Sequence, residues 1–182
     1  LKKVGNCGEM CNFTISNYIV HLMDRFLGNI EAKADVKGRL FIPALFRKQL
    51  QADAEERLIM RKDTYQDCLV LYPESVWNEE LNELRGRLNK WNPTHQQIFR
   101  QFVSDVEIIT PDSNGRILIP KRYMQMAGIT IDVRFIGVDN TIEIWAKAKA
   151  DKPFMNPEEF GRELEKVMNN KVINELKPPT TE

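Results

Sequence analysis

A nine-residue segment of this chain recurs. Asp35-Val36-Lys37-Gly38-Arg39-Leu40-Phe41-Ile42-Pro43 returns 77 positions later as Asp112-Ser113-Asn114-Gly115-Arg116-Ile117-Leu118-Ile119-Pro120, with Asp, Gly, Arg, Ile and Pro identical. The segments downstream of the two copies also correspond: Asp67-Cys68-Leu69-Val70-Leu71-Tyr72 and Asn140-Thr141-Ile142-Glu143-Ile144-Trp145 are both a turn-former and an apolar run ending in an aromatic residue. A repeat defines the structural unit and restricts the fold to two copies of one plan. The expected class is therefore α+β, built as a tandem pseudo-repeat of a small β-rich half.

Within each copy, Asp-x-x-Gly reads as a turn, its carboxylate accepting from the backbone and its glycine free to take a positive φ. Asp35, Gly38, Asp112 and Gly115 are accordingly the turn-bracing residues. A short apolar strand comes next. Pro43 and Pro120 then suit the first turn of a helix, where a missing amide hydrogen costs nothing, giving helices over 43–50 and 120–127 with Gly128 as the stop.

Between the halves, Trp77, Leu81, Leu84, Leu88 and Trp91 alternate spacings of four and three, the stripe of an amphipathic helix. Asn92-Pro93 breaks it and opens a second helix with Ile98, Phe99, Phe102 and Val103 on one face. A third helix begins at Asn156-Pro157-Glu158-Glu159 and carries Phe160, Leu164, Val167 and Met168. The expected partition is a first half over 23–74, a helical connection over 75–105, a second half over 106–150 and a C-terminal helix and tail over 151–182. Residues 1–22 have no partner in the repeat and no clear periodicity; with Leu at the start and Met23 just before the repeat, they read as a non-native leader or upstream reading frame. N-terminal sequencing of the natural protein giving a start before Met23 would overturn that reading.

Charge narrows the function. Lys plus Arg and Asp plus Glu number 26 each, so nothing pulls the whole chain toward nucleic acid, and any such binding must be local. Residues 24–50 hold six basic against three acidic residues and 110–125 hold three against one, whereas 51–109 hold seven against eleven. The basic excess coincides with the repeats. Cys7, Cys11 and Cys68 form no disulfide framework, which fits a reducing compartment, with the cytoplasm expected. The least polar stretch, 13–23, is far short of the roughly 20 residues a spanning helix needs, so no membrane partner is expected.

Catalysis and metal binding find little material. The histidines are His21 and His95, one in the leader and one in the helical connection, so no histidine triad assembles. Cys7 and Cys11 with His21 match no standard zinc spacing, and Cys68 reads as a buried structural thiol on a strand. No phosphate loop or dinucleotide fingerprint occurs, so no enzyme activity, cofactor, metal or small-molecule substrate is expected. The Asp-x-x-x-Arg pairs remain. An arginine beside a turn glycine can grip a phosphate or a guanine edge bidentately, or it can pair with the turn carboxylate and only brace the turn. Both readings stand at this point, since a structural turn duplicates as readily as a binding one.

Phe26, Gly28, the segment Asp35 to Pro43, Phe46-Arg47, Cys68-Leu69, Leu71-Tyr72-Pro73, Trp77, the segment Asp112 to Pro120, Ala127-Gly128, Gly137, Glu143 and Trp145 together resemble the MraZ family. The resemblance implies a swapped-hairpin β-barrel of the SpoVT-AbrB type, in which the strands of the two halves interlock, and a homo-oligomer, expected to be a ring. It further implies a sequence-specific transcriptional regulator at the nucleoid, binding direct repeats in double-stranded DNA upstream of the division and cell wall gene cluster, including its own promoter. By motif, Arg39 and Arg116 are the implied DNA-facing arginines, with Lys37, Arg47, Lys48, Lys121 and Arg122 in support. The second half departs in one place: the position equivalent to Arg47 is Met124, with Arg122 nearby. The competing function is a structural ring or interaction scaffold whose arginines only brace turns.

Overall fold

A computed structural model describes residues 25–152 and 154–175. The chain falls into two compact units, one ending at Lys147 and one beginning at Ala148.

In the first unit, the first copy supplies β1 (Phe26–Lys33), β2 (Arg39–Phe41), α1 (Ala44–Ala52), β3 (Leu58–Lys62) and β4 (Cys68–Pro73). A helical hairpin comes next, α2 (Glu74–Arg87) and α3 (Pro93–Ser104). The second copy repeats the series as β5 (Val106–Ile109), β6 (Arg116–Leu118), α4 (Lys121–Ala127), β7 (Asp132–Asp139) and β8 (Thr141–Ala146). A short α5 (Lys147–Ala150) spans the junction, and the second unit holds α6 (Pro157–Glu175).

All strand pairs are antiparallel, in a six-stranded sheet of order β1-β7-β8-β4-β3-β5 and a two-stranded ribbon of β2 and β6. Exchanging the two copies turns β1 into β5, β3 into β7 and β4 into β8, and the sheet order then reads the same backwards. The first strand of each half therefore pairs with the third strand of the other, β1 with β7 and β5 with β3. Neither half completes a sheet alone. The described residues do not close into the expected barrel: β1 and β5 each have a strand neighbour on one side only, so the main sheet is open.

The core obeys the same symmetry. Leu40, Ile42, Phe46 and Leu50 are buried, as are their counterparts 77 positions on, Ile117, Ile119, Tyr123 and Ala127. Leu58, Met60, Leu69 and Leu71 from β3 and β4 face the same cluster as Val133, Phe135, Ile142 and Ile144 from β7 and β8. The continuous apolar run of β4, and the largely buried β8 interrupted only by Glu143, suit these central strands, whose neighbours lie on both sides.

Helix ends shift by small amounts from those expected from sequence. Pro43 and Pro120 stand one residue before their helices, with extended ψ of 140° and 144°, so each proline caps its helix instead of opening it. Gly128 ends α4 in the left-handed region, at φ 67°. The connecting stripe stops early: α2 ends at Arg87, Leu88 is extended, and Trp91 lies in the loop with 80% of its surface exposed. Asn92 explains this, because its side chain accepts from the amides of Thr94 and His95 to start α3, and Pro93 disfavours helix in the residue before it.

Candidate nucleic-acid interface

The repeated turns stand at the two opposite ends of the antiparallel ribbon, 35–38 leading into β2 and 112–115 leading into β6. Asp35 Oδ1 accepts from the amides of Lys37 at 2.8 Å and Arg39 at 2.9 Å, while Oδ2 accepts from Arg39 Nε at 2.6 Å. Asp112 does the same for Asn114 and Arg116, each at 2.9 Å, and for Arg116 Nε at 2.7 Å. Gly38 and Gly115 take φ of +83° and +76°, a region that disfavours side chains. The amide of Arg39, foremost, with its guanidinium and the Lys37 amide, holds the Asp35 carboxyl down to about 2. The equivalent bonds lower Asp112.

The brace does not consume the arginine. Each guanidinium is held through Nε, and its two terminal nitrogens have no partner among the described residues. The Arg39 and Arg116 side chains are 44% and 33% exposed. Ribbon register aims them together, Arg39 opposite Leu118 and Phe41 opposite Arg116, with Leu40 opposite Ile117 in the core beneath. The outer face is thus two arginines and two apolar side chains in diagonal arrangement. Phe41 and Leu118 are 56% and 54% exposed, and the Arg116 guanidinium lies 5.7 Å from the Phe41 ring centre. This apolar pair is absent from the site residues expected from sequence. The alternation in Arg-Leu-Phe and Arg-Ile-Leu was the available signal, since a two-residue period puts first and third residues on one face.

Each turn also locks onto the end of the other copy's ribbon strand. Ile42 donates to the Gly115 carbonyl at 3.0 Å, and Ile119 donates to the Gly38 carbonyl at 2.9 Å. Arg47 packs its side chain against Gly115 and donates to the Asn114 carbonyl at 2.9 Å. Its equivalent, Met124, puts its sulfur 3.1 Å from where a Cβ on Gly38 would stand. Arg47 and Met124 thus hold equivalent places, each packed against the turn glycine of the other half. Arg122 is engaged as well, beside Glu107 at 3.3 Å and Asp105 at 3.6 Å, and donating to the Tyr123 hydroxyl at 2.8 Å. Lys37, Lys48 and Lys121 are exposed, and no carboxylate among the described residues pairs with their side chains.

Chemistry elsewhere is structural. Cys68 is fully buried, and burial pushes its thiol far up. His95 Nδ1 accepts from the Asn89 amide at 2.9 Å and ties the hairpin turn. Among the described residues no group of three or more His, Cys, Asp or Glu could hold a metal ion. Cys7, Cys11 and His21 lie outside the described residues. No described helix is long and apolar enough to cross a membrane.

Fold and site define a class: a twice-repeated α+β protein that interlocks its halves to display a β-ribbon with two arginines on its outer face. The sequence model of the MraZ protein family, whose description also carries the words antitoxin-like, matches residues 25–100 and 102–159. The chain belongs to the MraZ family. It is 76% identical over 148 residues to the transcriptional regulator MraZ of Bacteroides thetaiotaomicron, taking in 81% of this chain and 95% of that protein. To the protein of the same name from Bacteroides fragilis it is 72% identical over 158 residues, 85% of this chain and all of that protein. A more distant relative, from Syntrophobacter fumaroxidans, is 36% identical over 126 residues, 69% of this chain and 82% of the other. These relatives are named as transcriptional regulators, and the family is one of regulators, not of enzymes.

Proposed function

We propose that this chain is a sequence-specific regulator that binds double-stranded DNA through the β2–β6 ribbon. The observation carrying this is the pair of arginines fixed at Nε by a turn aspartate, each with its terminal nitrogens unpartnered among the described residues. The B-DNA major groove admits a two-stranded ribbon, and arginine grips guanine O6 and N7 through two donors. An arginine already held by its own turn loses little side-chain freedom on binding. Arg39 and Arg116 read base edges, Lys37, Lys48 and Lys121 position phosphates, and Arg47 and Arg122 support the ribbon from behind.

The finer fold reading is the swapped-hairpin type, supported by the reciprocal pairing of β1 with β7 and β3 with β5. One ribbon offers few cationic contacts, so the functional unit is a homo-oligomer, a ring whose ribbons engage direct DNA repeats in tandem and gain effective concentration with each contact. The sites lie upstream of the division and cell wall gene cluster and include its own promoter, which places the protein in the cytoplasm at the nucleoid.

A scaffold reading has one observation in its favour, since both arginines do pair with their turn aspartates. Fluorescence anisotropy over a salt series, on DNA from upstream of the protein's own gene, separates the two. The regulator reading expects tight, steeply salt-dependent binding by the wild type and none by a folded Arg39→Ala/Arg116→Ala variant. Folded, assembled wild type that leaves the DNA free at low salt would hand the lead to the scaffold.

A further inference from the structure

The acidic average over 51–109 conceals a division. From residue 84 to 104 there is no Asp or Glu, while Arg85, Arg87, Lys90 and Arg100 fall in that span. The fold gathers three of them, Arg85, Lys90 and Arg100, at the tip of the α2–α3 hairpin, around a cleft of about 480 Å³ also lined by Leu88, His95 and Phe99. Arg87 pairs with Glu83, but Arg85, Lys90 and Arg100 pair with no carboxylate among the described residues. Next to Lys90 in the chain, Trp91 is 80% exposed, with the Lys90 ammonium 5.2 Å from its ring centre. Apolar floor, cationic rim and a bare tryptophan are the composition of a protein-binding hot spot.

The same chain holds a complementary surface. On α6, Phe160, Leu164, Val167 and Met168 recur at four, three and one, a single stripe, and each is between 48% and 62% exposed. Glu159 and Glu163 flank that stripe, and Glu158 and Glu159 make the first turn acidic. Glu163 pairs with Lys166, whereas Glu158, Glu159 and Glu165 pair with no cation among the described residues. An amphipathic helix laid in a groove is a recurrent recognition mode, and opposite charge at the rim sets its orientation.

We infer that the apolar stripe of α6 from one copy of this chain seats in the basic cleft at the α2–α3 tip of a second copy. The inference rests on the homo-oligomer reading and names the contact that joins neighbours. A DNA backbone would satisfy the cations but has no use for the apolar floor of Leu88 and Phe99. A lipid surface would leave the acid-flanked stripe of α6 unmatched.

Sedimentation and light scattering of the full chain over a dilution series test it, with three variants: Arg85→Glu/Arg100→Glu, Glu159→Arg/Glu163→Arg, and all four changes combined. Each double reversal is expected to move dissociation to a protein concentration at least about tenfold higher, and the combination to restore it, as direct charge pairing requires. A photo-crosslinker at position 164 of a tagged wild-type-like chain should capture residues 85–100 of an untagged copy, a readout that does not depend on the reversals folding. Unchanged dissociation in both reversals, no recovery in the combination, or cross-links elsewhere overturn the docking. Loss of DNA binding by Arg85→Glu/Arg100→Glu at unchanged mass assigns the cleft to DNA and overturns it too. Wild type that stays monomeric at every concentration fails the homo-oligomer reading itself.

Discussion

Gly38 and Gly115 do one job in two surroundings, and the difference is measurable. A Cβ on Gly38 would stand 2.6 Å from the backbone oxygen of Ile119, which the interlocked ribbon holds in place. A Cβ on Gly115 would meet the Arg47 side chain at 2.2 Å, and a side chain can swing away. Both substitutions carry the left-handed strain of roughly 1–2 kcal/mol. Gly38→Ala is expected to add a backbone displacement and to cost about 3 kcal/mol or more, against about 2 for Gly115→Ala, in denaturant unfolding. Equal costs would mean the two loops yield alike. The turn aspartates add a pH signature. Their carboxyls are depressed in the fold, so they stabilise it above the ordinary value of 3.8, and that support drains as pH falls below 3.8, for Asp35 toward about 2. Asp35→Asn should unfold more easily at neutral pH and show a shallower loss across that window than wild type. Parallel acid curves for the two proteins would remove Asp35 from this role.

At the level of elements, the ribbon divides labour between its faces. Leu40 and Ile117 are 0% and 1% exposed beneath it, so Ile117→Ala should cost about 2–4 kcal/mol of stability through lost burial and a cavity. Phe41 points outward at 56% exposure, and Phe41→Ala should stay within about 0.5 kcal/mol of wild type while weakening DNA binding. Thermal unfolding and anisotropy run side by side check both, and a Phe41→Ala variant that melts early but binds normally would reverse the assignment. Much of this element plan was legible in the sequence: the repeat, the Asp-x-x-Gly turns, the short helix after each proline and the helical connection all rest on local chemistry. What escaped was non-local. No spacing says that β1 pairs with β7, because register between distant strands is set by packing in the folded core. Nor could the equivalent positions Arg47 and Met124 be recognised as struts before each was seen to pack on the turn of the other half. Charge misled in a related way, since averaging over 51–109 hid the acid-free span 84–104, whose Arg85, Lys90 and Arg100 the hairpin then brings around one cleft.

The palindromic sheet makes a demand on the molecule as a whole. Each half lends its first strand to the other and borrows one in return, so a half by itself has an unpaired β1 or β5, a ribbon of one strand and half a core. Chains of about half this length are marginal even with a complete core, and unpaired strand edges invite a partner. A cut in the loop after Lys90, giving 25–90 and 91–152, is therefore expected to yield pieces that are unfolded as monomers and recover native circular dichroism when mixed. The symmetry adds a second expectation. Because the first copy contains the equivalent of every strand it lacks, fragment 25–90 can take the missing role from another molecule of itself, giving a folded homodimer at high concentration. The full tandem chain avoids that concentration dependence, since the α2–α3 hairpin holds the second copy at high effective concentration. Size-exclusion chromatography with circular dichroism across dilution decides the matter: a fragment that is both monomeric and fully folded would show that the interlocking of the halves is not what builds the core.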